Sequence, residues 1–249
     1  ADQIMLKSNK KISNPNGGIN MSMYTNSYPP YIFYIEKVYC PPGIGWVLTG
    51  ILRCSDPQGC MSTNTQCWLG PHGMEQIPIK IWSIHNYYQE KIDKLYSGMR
   101  GCLAIRSDRK MTYKMFRKGT ILTNNQEIIK YASYKYKAMI KLLSHPSTVR
   151  DNFTPVIHCA TIRQSAKITI LEIKNKQNKK SQSKSTVSTT SNQNNDVGEN
   201  IEIKRICPGD SAIICLEFKF NPEIIEPNES FFLREGMCLG VGTILEPIY

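Results

Sequence analysis

Four histidines and nine cysteines are the residues best able to do chemistry in this 249-residue chain, and their spacing limits what that chemistry can be. Cys54, Cys60, Cys67 and His72 lie close enough in sequence to be gathered into a metal site, but the gaps between them do not match zinc-ligand spacing. We expect no metal ligands and no catalytic residues. An odd cysteine count without a Cys-x-x-Cys pair argues against a secreted disulfide framework and for a reducing compartment, the cytoplasm. Cys40, Cys102, Cys159, Cys207, Cys215 and Cys238 fall in apolar stretches and are expected as small buried thiols. His72, in a Gly/Pro turn, and His145, before Pro146, are expected in exposed loops. His158, within Pro-Val-Ile-His-Cys, is expected to be a hydrogen-bonded strand residue. None of the four has a nucleophile or second base grouped with it, so the residues alone indicate no enzyme.

Phosphate chemistry has no better footing. The sequence has no Gly-x-x-x-x-Gly-Lys-Ser/Thr loop and not one Gly-Lys pair, so it offers no nest of backbone N–H groups for phosphates. Its Asn-Lys pairs (9–10, 175–176 and 178–179) are not followed by the aspartate that reads guanine. Asp56-Pro57-Gln58-Gly59 has the letters of a magnesium switch and, without the rest, reads as a turn. The chain is expected not to bind GTP by itself, and no cofactor is expected in it.

Lys plus Arg outnumber Asp plus Glu by 31 to 20, a net charge of +11 that favours acidic partners such as nucleic acid. An A/T-rich genome would also raise the lysine content. Tyr87 and Tyr88 have the rings to stack on bases, although the blander reading is a half-buried strand pair. Charges and prolines break every apolar stretch before the roughly 18–20 residues a membrane helix needs. No membrane partner is expected.

The elements that must position these residues are short strands. Ile77, Ile79 and Ile81 alternate with other residues, as do Ala212, Ile214, Leu216, Phe218 and Phe220, and Ile201 with Ile203. Period-2 runs broken by Gly, Pro and Asn indicate antiparallel sheets closed into barrels or packed as sandwiches. Residues 127–143 fit either an amphipathic helix, with Ile128, Ile129, Ala132, Met139 and Ile140 apolar, or a strand facing inward through Tyr134, Tyr136, Ala138, Ile140 and Leu142. Residues 1–27 are polar and read as a linker or disordered end. Residues 174–200, nearly all Lys, Asn, Gln, Ser and Thr, read as a flexible insertion between adjacent strands. A domain boundary is expected near Asn124-Asn125, and an opening Ala1 is what a processed product or a piece of a longer protein would show.

Several spaced motifs then resemble translational GTPases, most closely the GTP-binding protein 1/2 subfamily related to elongation factors 1-alpha and Tu. Pro42-Gly43-Ile44-Gly45, Val47 and Gly50 resemble the opening hairpin of their second domain, with the glycines read as supplying tight turning. Leu69-Gly70-Pro71, Ser83-Ile84-His85 and Arg117 to Leu122 follow in the family's order. His145-Pro146-Ser147-Thr148-Val149, the run from His158 through Arg163 and Gln164 to Ala166, and Pro208-Gly209-Asp210 resemble the third domain. So do Phe232-Leu233-Arg234-Glu235-Gly236 and Val241-Gly242-Thr243-Ile244.

The resemblance implies an all-β chain of two antiparallel β-barrels, elongation-factor domain 2-like over 28–124 and domain 3-like over 125–249. It places Tyr134 to Leu143 on a strand. The parent is implied to be a GTPase whose GTP and magnesium sit in a G domain absent from this chain. Partners would be that domain, tRNA or other RNA, and the ribosome, with the chain itself a monomer. His85, Arg100, Arg163 and Arg234 are the RNA-binding candidates; Gly43, Gly45, Gly50, His158, Gln164, Gly236 and Gly242 are structural. Two places depart from the family pattern: Met237-Cys238-Leu239 replaces basic or hydroxylic residues, and Arg100 replaces a polar amide. They point to the alternative, a non-catalytic protein/RNA interaction scaffold derived from such a factor.

Overall fold

The computed structural model describes residues 31–73, 75–174 and 204–249. The expected linker over 1–27, the insertion over 174–200 beyond Lys174, and the alternation of Ile201 with Ile203 lie outside the described residues. The first half of the chain runs through β1 (Tyr31–Tyr39), β2 (Trp46–Cys54), β3 (Cys60–Ser62), β4 (Gln66–His72) and β5 (Glu75–Asn86). It continues with β6 (Lys91–Ile92), β7 (Lys94–Tyr96), β8 (Arg100–Arg106) and β9 (Ile121–Thr123). Six of these strands close into an antiparallel barrel in the order β4-β9-β1-β2-β8-β5, sealed by the β4–β5 hairpin. After a five-residue helix α1 (Gln126–Lys130) come β10 (Lys135–Ser144), β11 (Val149–Arg150), β12 (Val156–Cys159) and β13 (Ile162–Ile173). β14 (Arg205–Ile206), β15 (Ser211–Phe218), β16 (Ser230–Glu235) and β17 (Cys238–Ile248) complete the chain. A second closed barrel has the order β10-β15-β13-β12-β16-β17. The chain is all-β in class, as two antiparallel barrels require.

Alternation makes these strands. On β15 Ala212, Ile214, Leu216 and Phe218 are buried while Ile213, Cys215 and Glu217 are half-exposed. Phe220, expected on the same face, lies beyond the strand end and is exposed, because the chain has turned out of the ladder. On β5 the inward set Ile77, Ile79, Ile81 changes parity at a bulge around Trp82, which brings Ile84 into the core. Such an extra residue re-aims every side chain after it. Each barrel has its own apolar core, one around Phe33, Leu48, Leu69 and Leu103, the other around Tyr136, Ile168, Leu216 and Phe231.

The ambiguous stretch turns out to hold both elements. Asn125 caps α1 by accepting the Glu127 N–H at 2.9 Å, and Ile128 and Ile129 pack on Ile32, Tyr34 and Ile121 of the first barrel and on Ile224. The chain then pairs as β10, burying Tyr136, Ala138, Ile140 and Leu142. Tyr134, expected on the inward face, precedes the strand and is exposed.

Other expectations need correction. Cys40 and Cys207 are exposed rather than buried, since they stand just before Pro41 and Pro208 where the chain leaves its strand. Cys159 and Cys238 are buried, and Cys102 and Cys215 half-buried. Gly43 and Gly45 do supply turning, at φ of +79° and +89°. Gly50 does not: a Cβ there would stand 2.0 Å from the Tyr34 carbonyl oxygen, so the residue is glycine because two backbones approach closely. Gly242 is small for a similar reason, beneath the Phe231 ring, whereas Gly236 turns the β16–β17 hairpin at φ +55°. Asp56 accepts the Gln58 and Gly59 N–H groups and so forms a turn.

Candidate nucleic-acid interface

The outer face of the second barrel carries a row of residues set by strand register. Arg163 on β13 stands opposite His158 on β12, which stands opposite Phe232 on β16, which in turn faces Val241 on β17 and through it Lys141 on β10. The next row pairs Val156 with Arg234. Directly opposed residues in antiparallel strands share a face at about 4.5–5.5 Å between Cβ atoms. Three cations and an aromatic ring therefore lie on one surface. Phe231 and Leu233 point into the core, so parity forces Phe232 outward, where it is 58% exposed.

No salt bridge or hydrogen bond joins the side chain of Arg163 or Arg234 to another described residue. Both act electrostatically on His158, which makes no side-chain hydrogen bond among the described residues, contrary to expectation. Partial burial, then Arg163, then Arg234 hold the imidazole below its ordinary pKa, because each disfavours a further positive charge. At neutral pH the face thus presents two guanidinium groups, with no carboxylate partner among the described residues, beside a neutral ring. Such a face can take phosphate on the arginines and a base or sugar on Phe232.

The other two candidates lie on the first barrel, on neighbouring strands β5 and β8, away from this row. Arg100 is the first residue of β8, just beyond the Gly98 turn, and it is not a free cation. Its Nη2 lies 3.0 Å from Glu36 Oε1 and its Nη1 donates to Glu36 Oε2 at 3.1 Å, a fork on both carboxylate oxygens. His85 is half-buried opposite Lys91 and Cys102. Gln164 pins chain segments together: its amide donates to Asn221 O and to Glu223 Oε1, and its oxygen accepts the Phe220 and Asn221 N–H groups. Tyr87 and Tyr88, expected to be half-buried, are 75% and 78% exposed on the β5–β6 turn, with rings edge-on at 5.7 Å. His72 and His145 are half-buried rather than open, the latter edge-on to Phe153.

Cys54, Cys60 and Cys67 lie around Tyr31, but they and His72 are not grouped as metal ligands. Cys67 is buried against the Tyr31 hydroxyl, and among the described residues no three of His, Cys, Asp or Glu are grouped to hold a metal. Phe232 is the contributor that sequence reasoning missed. The signal was there in two adjacent phenylalanines, of which a strand can bury only one.

No family model matches the chain. It is 26% identical over 218 residues to GTP-binding protein 1 of Xenopus laevis, covering 86% of this chain and 27% of that protein. It is 22% identical over 220 residues to GTP-binding protein 2 of Mus musculus and of Homo sapiens, covering 86% of this chain and 29% of each. The chain thus spans little more than a quarter of the length of these relatives. A crystal structure of sup35 complexed with GDP superposes with a TM-score of 0.66 at 20% identity, over 88% of this chain and 48% of that one, which shows a shared fold. Together the sequence matches and the two closed barrels make this chain similar in sequence to GTP-binding proteins 1 and 2 and similar in fold to sup35.

Proposed function

We propose that this chain is the RNA-engaging part of a translation-factor-like GTP-binding protein, with the second barrel's outer face as its contact surface. The observation that supports it is the presence of two arginines without carboxylate partners among the described residues, flanking His158 beside an exposed phenylalanine. The net charge of +11 adds a long-range attraction for RNA. In this reading the barrels contact tRNA or other RNA and the ribosome in the cytoplasm and pass the contact to a GTPase domain outside this chain. GTP and magnesium belong to that domain.

A protein-interaction scaffold is the second reading, and Met237 and Leu239, 79% and 40% exposed at the end of the same face, favour it. Binding of labelled tRNA at low and high salt separates the two. The RNA reading expects salt-dependent binding that weakens in the Arg163→Ala/Arg234→Ala variant. Absence of binding at low salt leaves the scaffold.

A further inference from the structure

The second-barrel face has at its centre a side chain whose charge is not fixed. His158, half-buried on β12, has Arg163 directly opposite on β13 and Phe232 directly opposite on β16. Arg234 stands one row along on β16, opposite Val156, and so meets His158 on the diagonal. Direct neighbours of this kind have Cβ atoms about 4.5–5.5 Å apart, and diagonal ones about 7–8 Å. Ser165 on β13 and Ser230 on β16 take further diagonal positions. The charged residues acting on the ring are therefore Arg163 from one neighbouring strand and Arg234 from the other.

An imidazole in this setting lacks what a structural histidine has. Its ring nitrogens find no hydrogen-bond partner among the described residues, although either protonation state carries at least one N–H donor. A carboxylate neighbour would favour the imidazolium; here burial and both arginines oppose it, and the ring is neutral at pH 7. An anion set between the two guanidinium groups reverses that balance. It brings negative charge beside the ring and engages both arginines, so the second ring proton becomes favourable and adds a charged donor. The arginines are long and exposed at opposite corners of the group, with the shorter imidazole between them. That arrangement converges on a phosphate above His158, with the Phe232 ring at its side.

We propose that RNA binding at this face takes up one proton, onto His158, which then completes an Arg163–His158–Arg234 phosphate clamp. The inference rests on the RNA reading of the face and adds its regulation: acidity tightens the contact and alkalinity loosens it. The proton comes from solvent. Because the bound state holds more protons than the free one, affinity rises as pH falls, with a limit for one group of about tenfold per pH unit. The free ring titrates below its ordinary value of 6.5, so the gain develops on the way down from neutral pH.

The test is fluorescence anisotropy of labelled tRNA with the whole chain, at constant ionic strength and at several pH values between about 8 and about 5.5, a window that spans the histidine range. Calorimetry of the same binding in two buffers of different ionisation enthalpy counts the protons taken up. The wild type is compared with His158→Gln, His158→Arg and Arg163→Ala/Arg234→Ala, and circular dichroism melting checks that each variant folds. His72, His85 and His145 remain in all of them, so His158→Gln isolates one ring. The wild type is expected to bind about fivefold or more tightly at the acid end and to take up a proton. His158→Gln, which cannot charge, and His158→Arg, which is always charged, should both lose the pH dependence and the uptake. Arg163→Ala/Arg234→Ala should bind more weakly throughout. A His158→Gln variant with the pH dependence of the wild type, or a wild type that takes up no proton, overturns the proposal while weakened binding by Arg163→Ala/Arg234→Ala leaves the face standing. Binding that Arg163→Ala/Arg234→Ala leaves unchanged overturns the reading of the face, and this inference with it.

Discussion

Arg117, ahead of the last strand of the first barrel, reaches across to Glu223 of the second, with Nη1 2.7 Å from Glu223 Oε1. The same guanidinium donates to the carbonyls of Pro222 at 2.8 Å and Pro71 at 3.3 Å, so one side chain ties both barrels to one point. Glu223 is fully buried, and Gln164 donates to it from β13. The Tyr136 hydroxyl donates to its carbonyl at 2.6 Å. A second link, Arg53 to Glu229 at 3.0 Å, is exposed and worth about 1 kcal/mol or less. The buried pair is therefore where the junction is most sensitive.

Arg117→Ala leaves a buried carboxylate without its cation. Removing one partner of such a pair costs roughly 3–5 kcal/mol. Urea unfolding should show that loss, while Arg53→Ala changes stability by about 1 kcal/mol or less.

Glu223 also gives the fold a pH dependence. Burial raises its pKa from 4.5 to about 7, outweighing the downward pull of Arg117 and Gln164. The folded carboxyl thus holds its proton to higher pH than the unfolded one. Its stabilising contribution is present below about pH 4.5, declines as pH rises towards 7, and is gone above that. The limiting slope for one group is about 1.4 kcal/mol per pH unit. Glu223→Gln cannot ionise, so its stability relative to the wild type should rise between pH 5 and pH 8. A constant difference in urea midpoints across that range contradicts this.

The two kinds of glycine predict different costs. A Cβ at Gly43 meets nothing within 4 Å, so Gly43→Ala carries only the strain of a positive φ, about 1 kcal/mol. A Cβ at Gly50 collides with the Tyr34 carbonyl and the Phe33 ring, and β1 and β2 must part to admit it. Gly50→Ala should cost about 3 kcal/mol or more, read as a much larger drop in melting temperature.

On the proposed RNA face, Arg163→Ala and Arg234→Ala should each lower tRNA affinity and flatten the salt dependence by about one released counterion. Arg100→Ala is expected to change that slope less, because its charge is already engaged by Glu36. Filter binding at a series of salt concentrations measures all three. A slope unchanged in the two β12-flanking variants removes the face from the contact.

The barrels were legible in the residues because a half-buried strand repeats every two positions, and that period survives in a linear chain. The turns were legible too, as at Gly43 and Gly45 and at Asp56, since they depend on local backbone conformation. The order of the spaced motifs from Pro42 to Ile244 was enough to place the chain beside the GTP-binding protein 1/2 relatives. What alternation could not carry was parity after an irregularity: the bulge at Trp82 re-aims the rest of β5, and the strand end at Phe218 releases Phe220.

Charge partners were beyond the sequence for a different reason. Arg100 finds Glu36 64 residues away, Arg117 finds Glu223 106 residues away, and Arg163 and Arg234 find no carboxylate among the described residues. The sequence by itself determined the strand period, the turns and the family resemblance, all of which rest on local spacing or on the order of motifs. Only the tertiary structure decided which cations are neutralised and which stand free, because that depends on how closed barrels bring distant strands side by side.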